Sequence, residues 1–173
     1  EGPDLSHVGS RSNPDYMEFW LAIPEDVKPG STMPNVFGAM SSQERNPVIR
    51  DIVYYLTSLS EAFVPDGSAD PEEDVIERGE ELFHSIGCVA CHAPTREPTA
   101  RVGGDDEFSE QIVQHEDISL PSVPLPTLKE KTTYLSLASF LLDPRSVRPS
   151  GRMPDMKLSP DESKDIASYL MSE

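Results

Sequence analysis

Two cysteines and a histidine lie together in one short stretch of the chain, Cys88-Val89-Ala90-Cys91-His92. Cys88 and Cys91 are the only cysteines in the sequence. Two thiols at this spacing can add across the two vinyl groups of a single haem, and the adjacent histidine can then reach the iron on its proximal face. The string therefore predicts covalent haem attachment.

Two other chemistries use closely spaced cysteines, and both need partners that this sequence does not supply. A zinc site needs further cysteine or histidine ligands at a matched spacing, and there is no second pair. A thioredoxin-like redox pair needs strands around the motif, and no segment near it alternates as a strand does. Haem attachment remains the interpretation that the string favours.

A haem iron held by one histidine has a second axial position, and the sequence offers Met153 for it. Met153 lies in a later loop between Pro149 and Pro154, and these prolines stiffen the backbone around the thioether. A thioether is a soft ligand that favours reduced iron and raises the potential. Met156 is the nearby competitor, while His84 and His115 are weaker candidates on a predicted helix and in an acidic loop.

The loop that carries Met153 is repeated. Residues 20–34, WLAIPEDVKPGSTMP, align without a gap with residues 140–154, FLLDPRSVRPSGRMP, at an offset of 120. Met33 then matches Met153 and Lys28 matches Arg148, whereas Met156 aligns with Val36. Because the repeat keeps Met153 and not Met156, it favours Met153 as the ligand.

Two further blocks recur in the same order, so chance similarity between proline-rich loops is a poor explanation. Residues 51–56 (DIVYYL) resemble residues 165–170 (DIASYL), and residues 2–5 (GPDL) resemble residues 125–128 (LPTL). We therefore predict three parts: residues 1–64 as the C-terminal half of one repeat, residues 65–70 as a linker, and residues 71–173 as a complete copy.

Apolar residues recur at helical spacing, and no segment is convincing as a strand, so the predicted class is all-α. Asp70-Pro71 and Ser159-Pro160-Asp161-Glu162 are helix-start signals. The predicted helices cover Tyr16–Ile23, part of residues 46–63, Pro71 to Ile86, Thr132–Leu142, and Ser159 to the end of the chain.

The chain is strongly acidic, with a formal net charge of −17 over 173 residues. Such a charge repels phosphates, so it argues against a nucleic-acid partner and against docking on anionic lipid. It favours a redox partner with a basic docking face. No apolar run is long enough to insert directly into a membrane, and a start at Glu1 rather than Met leads us to expect a processed N-terminus.

Residues 71–173 resemble a class I c-type cytochrome domain in the blocks RGEELFHSIGCVACHAP, LPTL, RPSGRMP and LSPDESKDIASYL. The resemblance implies that haem c is attached covalently and ligated on both faces. It also implies a role for each matching residue: thioethers from Cys88 and Cys91, axial ligands from His92 and Met153, a carbonyl from Pro126 that orients His92, and a propionate contact from Arg148 or Arg152. The stretch 96–119 is longer and more acidic than such a domain needs.

By the same resemblance, GPDLSHVGSR (residues 2–11) is the block that follows a Cys-x-x-Cys-His motif, and Met33 is a candidate ligand of a second haem. We expect that motif upstream of Glu1, which makes the full protein dihaem. Two alternatives stay open: a domain that has lost its haem and survives as a docking module, or a separate polypeptide that supplies the missing half.

The resemblance implies an electron carrier rather than an enzyme, working in the periplasm or another extracytoplasmic space, at most peripheral on a membrane complex. The alternative is a haem-bearing domain or subunit of a larger respiratory or dehydrogenase complex, whose other subunits are then its partners. A haem sensor is a third class, and it would have an open sixth coordination position.

Overall fold

The computed structural model describes residues 3–28, 31–65, 71–92, 125, 128–149 and 151–172. Within these ranges the chain forms α-helices and one 3₁₀ turn but no strand, which confirms the all-α class. The helices are α1 Val8–Arg11, α2 Pro14–Ala22, α3 Pro24–Val27, α4 Ser42–Ser58, α5 Glu73–Ser85, α6 Leu128–Lys131, α7 Tyr134–Leu142, α8 Pro144–Val147 and α9 Pro160–Ser172, with the 3₁₀ turn at Cys88–Ala90 after α5.

Helices α5 and α9 cross at Gly79. A Cβ atom on Gly79 would overlap the carbonyl of Asp165 and lie 2.8 Å from the Cβ of Tyr169. One turn further along α5, the rings of Phe83 and Tyr169 pack with their centroids 5.6 Å apart. Glycine therefore lets the two backbones approach closely enough for the aromatic side chains to interlock.

The part of the chain from residue 71 onward, the second domain, has the larger hydrophobic core. It joins α5, α6, α7 and α9 through the buried side chains of Phe83, Leu128, Leu137, Ala138, Leu141, Leu158, Ile166, Ala167, Tyr169 and Leu170. The first segment has a separate and smaller cluster, formed by Met17, Phe37, Ile49 and Val53. The two parts of the chain thus have distinct cores.

Both long C-terminal helices of the two segments, α4 and α9, begin with a capping box. At α9 the Ser159 N–H donates to the Glu162 carboxylate (2.7 Å), and the Glu162 N–H donates to the Ser159 hydroxyl (3.3 Å). Ser41 and Glu44 form the same box at α4. The sequence predicted the capping box at α9 but not the one at α4. Helix α4 begins at Ser42, before the segment from residue 46 in which a helix was predicted.

Three consecutive helices of the first segment recur in the second with the same lengths and spacing. Helices α1, α2 and α3 have 4, 9 and 4 residues, as do α6, α7 and α8, and each pair is offset by 120 residues. Helix α4 follows the first trio and α9 follows the second, with 17 and 13 residues. Helix α4 is thus four residues longer than α9, which is about one helical turn. Residues that match in the repeat therefore lie on equivalent faces of the two helices.

The two segments contact each other through these matching trios. The Asn13 N–H donates to the carbonyl of Lys131 (2.8 Å), and the Thr132 hydroxyl donates to the carbonyl of Arg11 (2.9 Å). The Arg11 guanidinium donates to the carbonyl of Val147 (2.8 Å). Backbone polar groups of the second segment are therefore satisfied by the first.

One face of α4 is open to solvent. Tyr55 is 63% exposed, whereas Tyr169, its match in the repeat, is 2% exposed beneath α5. Val48 and Tyr54 on α4 are also exposed, as is Leu59 directly after the helix. No helix in the described ranges is long and apolar enough to cross a membrane.

Candidate functional site

A pocket of about 210 Å³ opens in the second domain, at its boundary with the first segment. Three side chains with ligand or attachment chemistry line it, namely those of Cys88, His92 and Met153. Its walls are largely apolar and include Phe83, Leu128, Leu137, Leu141, Ile166 and Leu170. The pocket therefore combines an imidazole, a thioether and a thiol among largely apolar side chains.

The turn after α5 brings Cys88 and His92 to the same side. Gly87 ends the helix in the left-handed region, with φ 102° and ψ 19°. The His92 N–H donates to the carbonyl of Cys88 (2.9 Å), so these two residues lie one turn apart and both face the pocket. Cys91 is exposed and lies outside the pocket lining.

The surroundings of Cys88 bear on the zinc and redox-pair interpretations. Burial raises the pKa of its thiol above the ordinary value, which disfavours the charged form that redox pairs and zinc sites use. Among the residues that the structure describes, no three histidine, cysteine or acidic side chains form a metal-binding group. The zinc and thioredoxin interpretations thus gain no support from the geometry.

The two candidate methionines differ in position. Both pack against the core of the second domain, but Met153 lines the pocket and Met156 lies outside the lining. The loop before Met153 closes a turn in which the Gly151 N–H donates to the carbonyl of Arg148 (2.8 Å). The donor set that faces the pocket therefore fits a haem with one histidine and one methionine ligand.

The remaining predicted site residues lie in different places. Arg148 lines the pocket, with its guanidinium carbon 5.1 Å from the centroid of the Phe140 ring, while Arg152 is exposed and does not line it. Pro126 lies outside the described residues, although its neighbour Leu125 lines the pocket.

In the first segment, Met33 is half-buried, and its N–H donates to the Ser31 hydroxyl (3.1 Å). It does not line the pocket. His84 packs edge-on against Phe83 and also lies outside the lining, and His115 belongs to the residues that are not described. Of the two histidines, only His84 is described, and it does not compete with Met153 for a place in this pocket.

Sequence reasoning missed three cations that line the pocket together with Arg148. They are Arg11 and Lys28 from the first segment and Lys131 from the second. Part of the signal was in the sequence repeat, which pairs Lys28 with Arg148 at an offset of 120. The pairing of Arg11 with Lys131 follows from the equivalence of α1 and α6 in the structure. Lys131 is half-buried, and burial together with Arg148 and Lys28 lowers its pKa from 10.5 to about 8.

Comparison with known proteins agrees with this geometry. A model of the cytochrome c family matches residues 76–173, more than half of the chain. No curated protein and no solved structure matched. The matched span includes Cys88, Cys91, His92 and Met153, the two cysteines having the spacing of a haem-attachment motif. The chain belongs to the cytochrome c family, whose domains hold haem c covalently and carry electrons.

Proposed function

We propose that this chain is an electron-transfer cytochrome in which His92 and Met153 are the axial ligands of a haem bound through Cys88 and Cys91. The observation that carries the proposal is that His92 and Met153 line one apolar pocket next to Cys88. Bound haem supplies an iron that exchanges one electron between its ferric and ferrous states.

The chain's own residues account for ligation, orientation and exclusion of water. Apolar side chains such as Phe83 and Leu137 limit the entry of water, and the soft thioether of Met153 favours the reduced metal. Pro126 is proposed to accept a hydrogen bond from the imidazole of His92, and the position of Leu125 on the pocket wall supports this.

Methionine substitution tests the ligand assignment. Met153→Ala should abolish the methionine-to-iron charge-transfer band of the ferric protein and lower its potential. Met156→Ala is the matched control, because that side chain lies nearby but outside the pocket lining, and it should leave the band in place. A band that survives in Met153→Ala and disappears in Met156→Ala would show that Met156, and not Met153, is the ligand.

We further propose that residues 1–64 are part of a second cytochrome domain, with Met33 as the distal ligand of its haem. Two observations support this. Helices α1–α3 repeat the lengths and spacing of α6–α8, and Tyr55 on α4 is open where Tyr169 on α9 is covered by α5. A helix equivalent to α5, carrying its own Cys-x-x-Cys-His motif, would cover that face of α4.

Intact mass and haem iron per polypeptide, measured on the native protein, test the second domain. We expect two haems on one polypeptide with a mass above that of these 173 residues. One haem per polypeptide with no further domain would refute the tandem proposal and leave the His92–Met153 assignment unaffected. A second haem on a separate polypeptide would show that the missing half is supplied by a partner.

We propose an extracytoplasmic location and a redox partner with a basic docking face. Cytochrome c domains typically work outside the cytoplasm, which supports the first part. The excess of 31 acidic over 14 basic residues supports the second. Fractionation of cells with detection of the haem-stained protein tests the location, and recovery in the cytoplasmic fraction would contradict it.

A further inference from the structure

We propose that Arg11 and Lys28 of the first segment join Lys131 and Arg148 in a cationic cradle that binds the carboxylate groups of the haem in the second domain. The inference rests on the proposed function, because it takes haem as the ligand of the pocket. It adds that the first segment completes this binding site, so that the second domain alone lacks half of the cradle.

Arg11 is held at the pocket by hydrogen bonds that cross between the segments. Its Nη1 atom donates to the carbonyl of Val147 (2.8 Å), and its Nε atom donates to the carbonyl of His7 (3.1 Å). The carbonyl of Arg11 in turn accepts a hydrogen bond from the Thr132 hydroxyl (2.9 Å). The guanidinium is thus fixed beside the pocket, with further N–H donors that these two bonds do not use.

The two cations of the second domain lie against aromatic rings. Lys131 Nζ is 5.7 Å from the centroid of Tyr16, a residue of the first segment, and Arg148 stands over Phe140. Such contacts keep a cation in place without neutralising it. Both segments therefore contribute to holding the charges as well as to supplying them.

The gathering of four cations is unfavourable unless an anion shares the site. The chain carries only 14 lysine and arginine residues and has a net charge of −17, yet four of its cations line one pocket. Among the described residues, none of the four lies within ion-pair distance of a carboxylate. The lowered pKa of Lys131 reflects this mutual repulsion in part.

A ligand with two carboxylates on one edge would offset that repulsion. Haem has this chemistry, with two propionates on one side of an apolar ring. The pocket has the matching composition, since both apolar side chains and the four cations line it. Arginine and lysine both bind carboxylates through charge-assisted hydrogen bonds.

The repeat is an independent indication that the four cations form a binding site and not a chance cluster. Arg11 and Lys131 are equivalent positions, and so are Lys28 and Arg148, so that each copy contributes the same two sites. The cluster therefore lies where matching elements of the two copies meet, and either copy alone provides only one pair. Basic residues placed independently on a surface would not be expected to occupy equivalent positions in both copies.

Equilibrium redox titration of the haem-loaded protein at low ionic strength tests the cradle. A cation near the haem favours the reduced state, because reduction lowers the positive charge at the iron. We expect Lys28→Gln to shift the equilibrium about threefold towards the oxidised form, a fall of about 28 mV at 59 mV per tenfold for one electron. Arg11→Gln should act in the same direction, whereas Arg11→Lys should keep most of the potential.

Lys129→Gln and Arg145→Gln are matched controls, because these exposed cations lie on α6 and α8 but outside the pocket lining. Propionate signals in the NMR spectrum should move in Lys28→Gln and not in the controls. Shifts in Lys28→Gln no larger than those in the controls would overturn the cradle, with haem binding and the redox couple intact. Loss of a reversible haem couple in the unaltered protein would instead refute the proposed function.

Discussion

At the scale of single residues, Gly79 and Gly87 are required for different physical reasons. Gly79 has ordinary backbone angles, but a Cβ atom there would overlap the carbonyl of Asp165 on α9. We expect Gly79→Ala to lower the free energy of unfolding by about 3 kcal/mol, because the α5–α9 crossing must open. Urea unfolding of the haem-loaded protein measures this, and a loss below about 1 kcal/mol would mean that the crossing can shift at little cost.

At Gly87 the constraint is torsional. Its φ is 102°, and a Cβ atom would meet no atom within 4 Å, so substitution introduces backbone strain without a clash. Gly87→Ala should destabilise the protein by about 1–2 kcal/mol. Gly87→Asn should cost less, since asparagine tolerates the left-handed region better. Equal losses for Ala and Asn in urea unfolding would contradict this explanation.

At the scale of secondary-structure elements, the start of α9 predicts a dependence on pH. The Ser159 N–H and hydroxyl stabilise the carboxylate of Glu162 and lower its pKa below 4.5. A lowered pKa means that the contribution to stability is present above about pH 4.5 and is lost as the pH falls through the folded-state value.

Glu162→Gln isolates this effect, because glutamine keeps a side-chain oxygen but cannot titrate. Wild type should be more stable than the variant at pH 7, and the difference should shrink as the pH falls below 4.5. Unfolding curves across that range measure it. A difference that stays constant down to pH 2 would show that the charge of Glu162 plays no part in the cap.

The helices also show what could and could not be read from the sequence. The helical spacing of Val48, Ile52, Tyr55, Leu56 and Leu59 predicted α4 correctly as a helix. That spacing states which residues lie together and not what covers them. The structure leaves Val48, Tyr55 and Leu59 exposed and Ile52 and Leu56 partly exposed, while it buries Ile49 and Val53. Ser41 and Glu44 also stand at capping-box spacing in the sequence, and α4 begins there, before residue 46, where the predicted segment began.

At the scale of the whole molecule, the sequence predicted features that depend on a short stretch of chain but not contacts between distant segments. The Cys88–His92 string and the Met153 loop could be predicted because each depends on a short stretch of chain. The cluster of Arg11, Lys28, Lys131 and Arg148 could not, because it forms only when segments 120 residues apart meet. Its pairing was nevertheless present in the repeat, as equivalent basic positions in the two copies.

The acidic charge of the whole chain predicts how its electron transfer responds to salt. Charge of one sign over a surface attracts a cationic partner from a distance and raises the rate of encounter, and salt screens that attraction within about 10 Å at 0.1 M. We expect the second-order rate constant with a basic redox protein to fall at least about tenfold between roughly 10 mM and 500 mM salt.

Stopped-flow measurement of haem oxidation gives this rate constant, and an uncharged small-molecule oxidant is the control whose rate should change little. The cradle sharpens the expectation, because four of the 14 cations point into a pocket rather than towards a partner. These four cations therefore contribute less than the other basic residues to the charge that a partner meets. A rate with the basic protein that is insensitive to salt would mean that apolar contacts, and not charge, control docking.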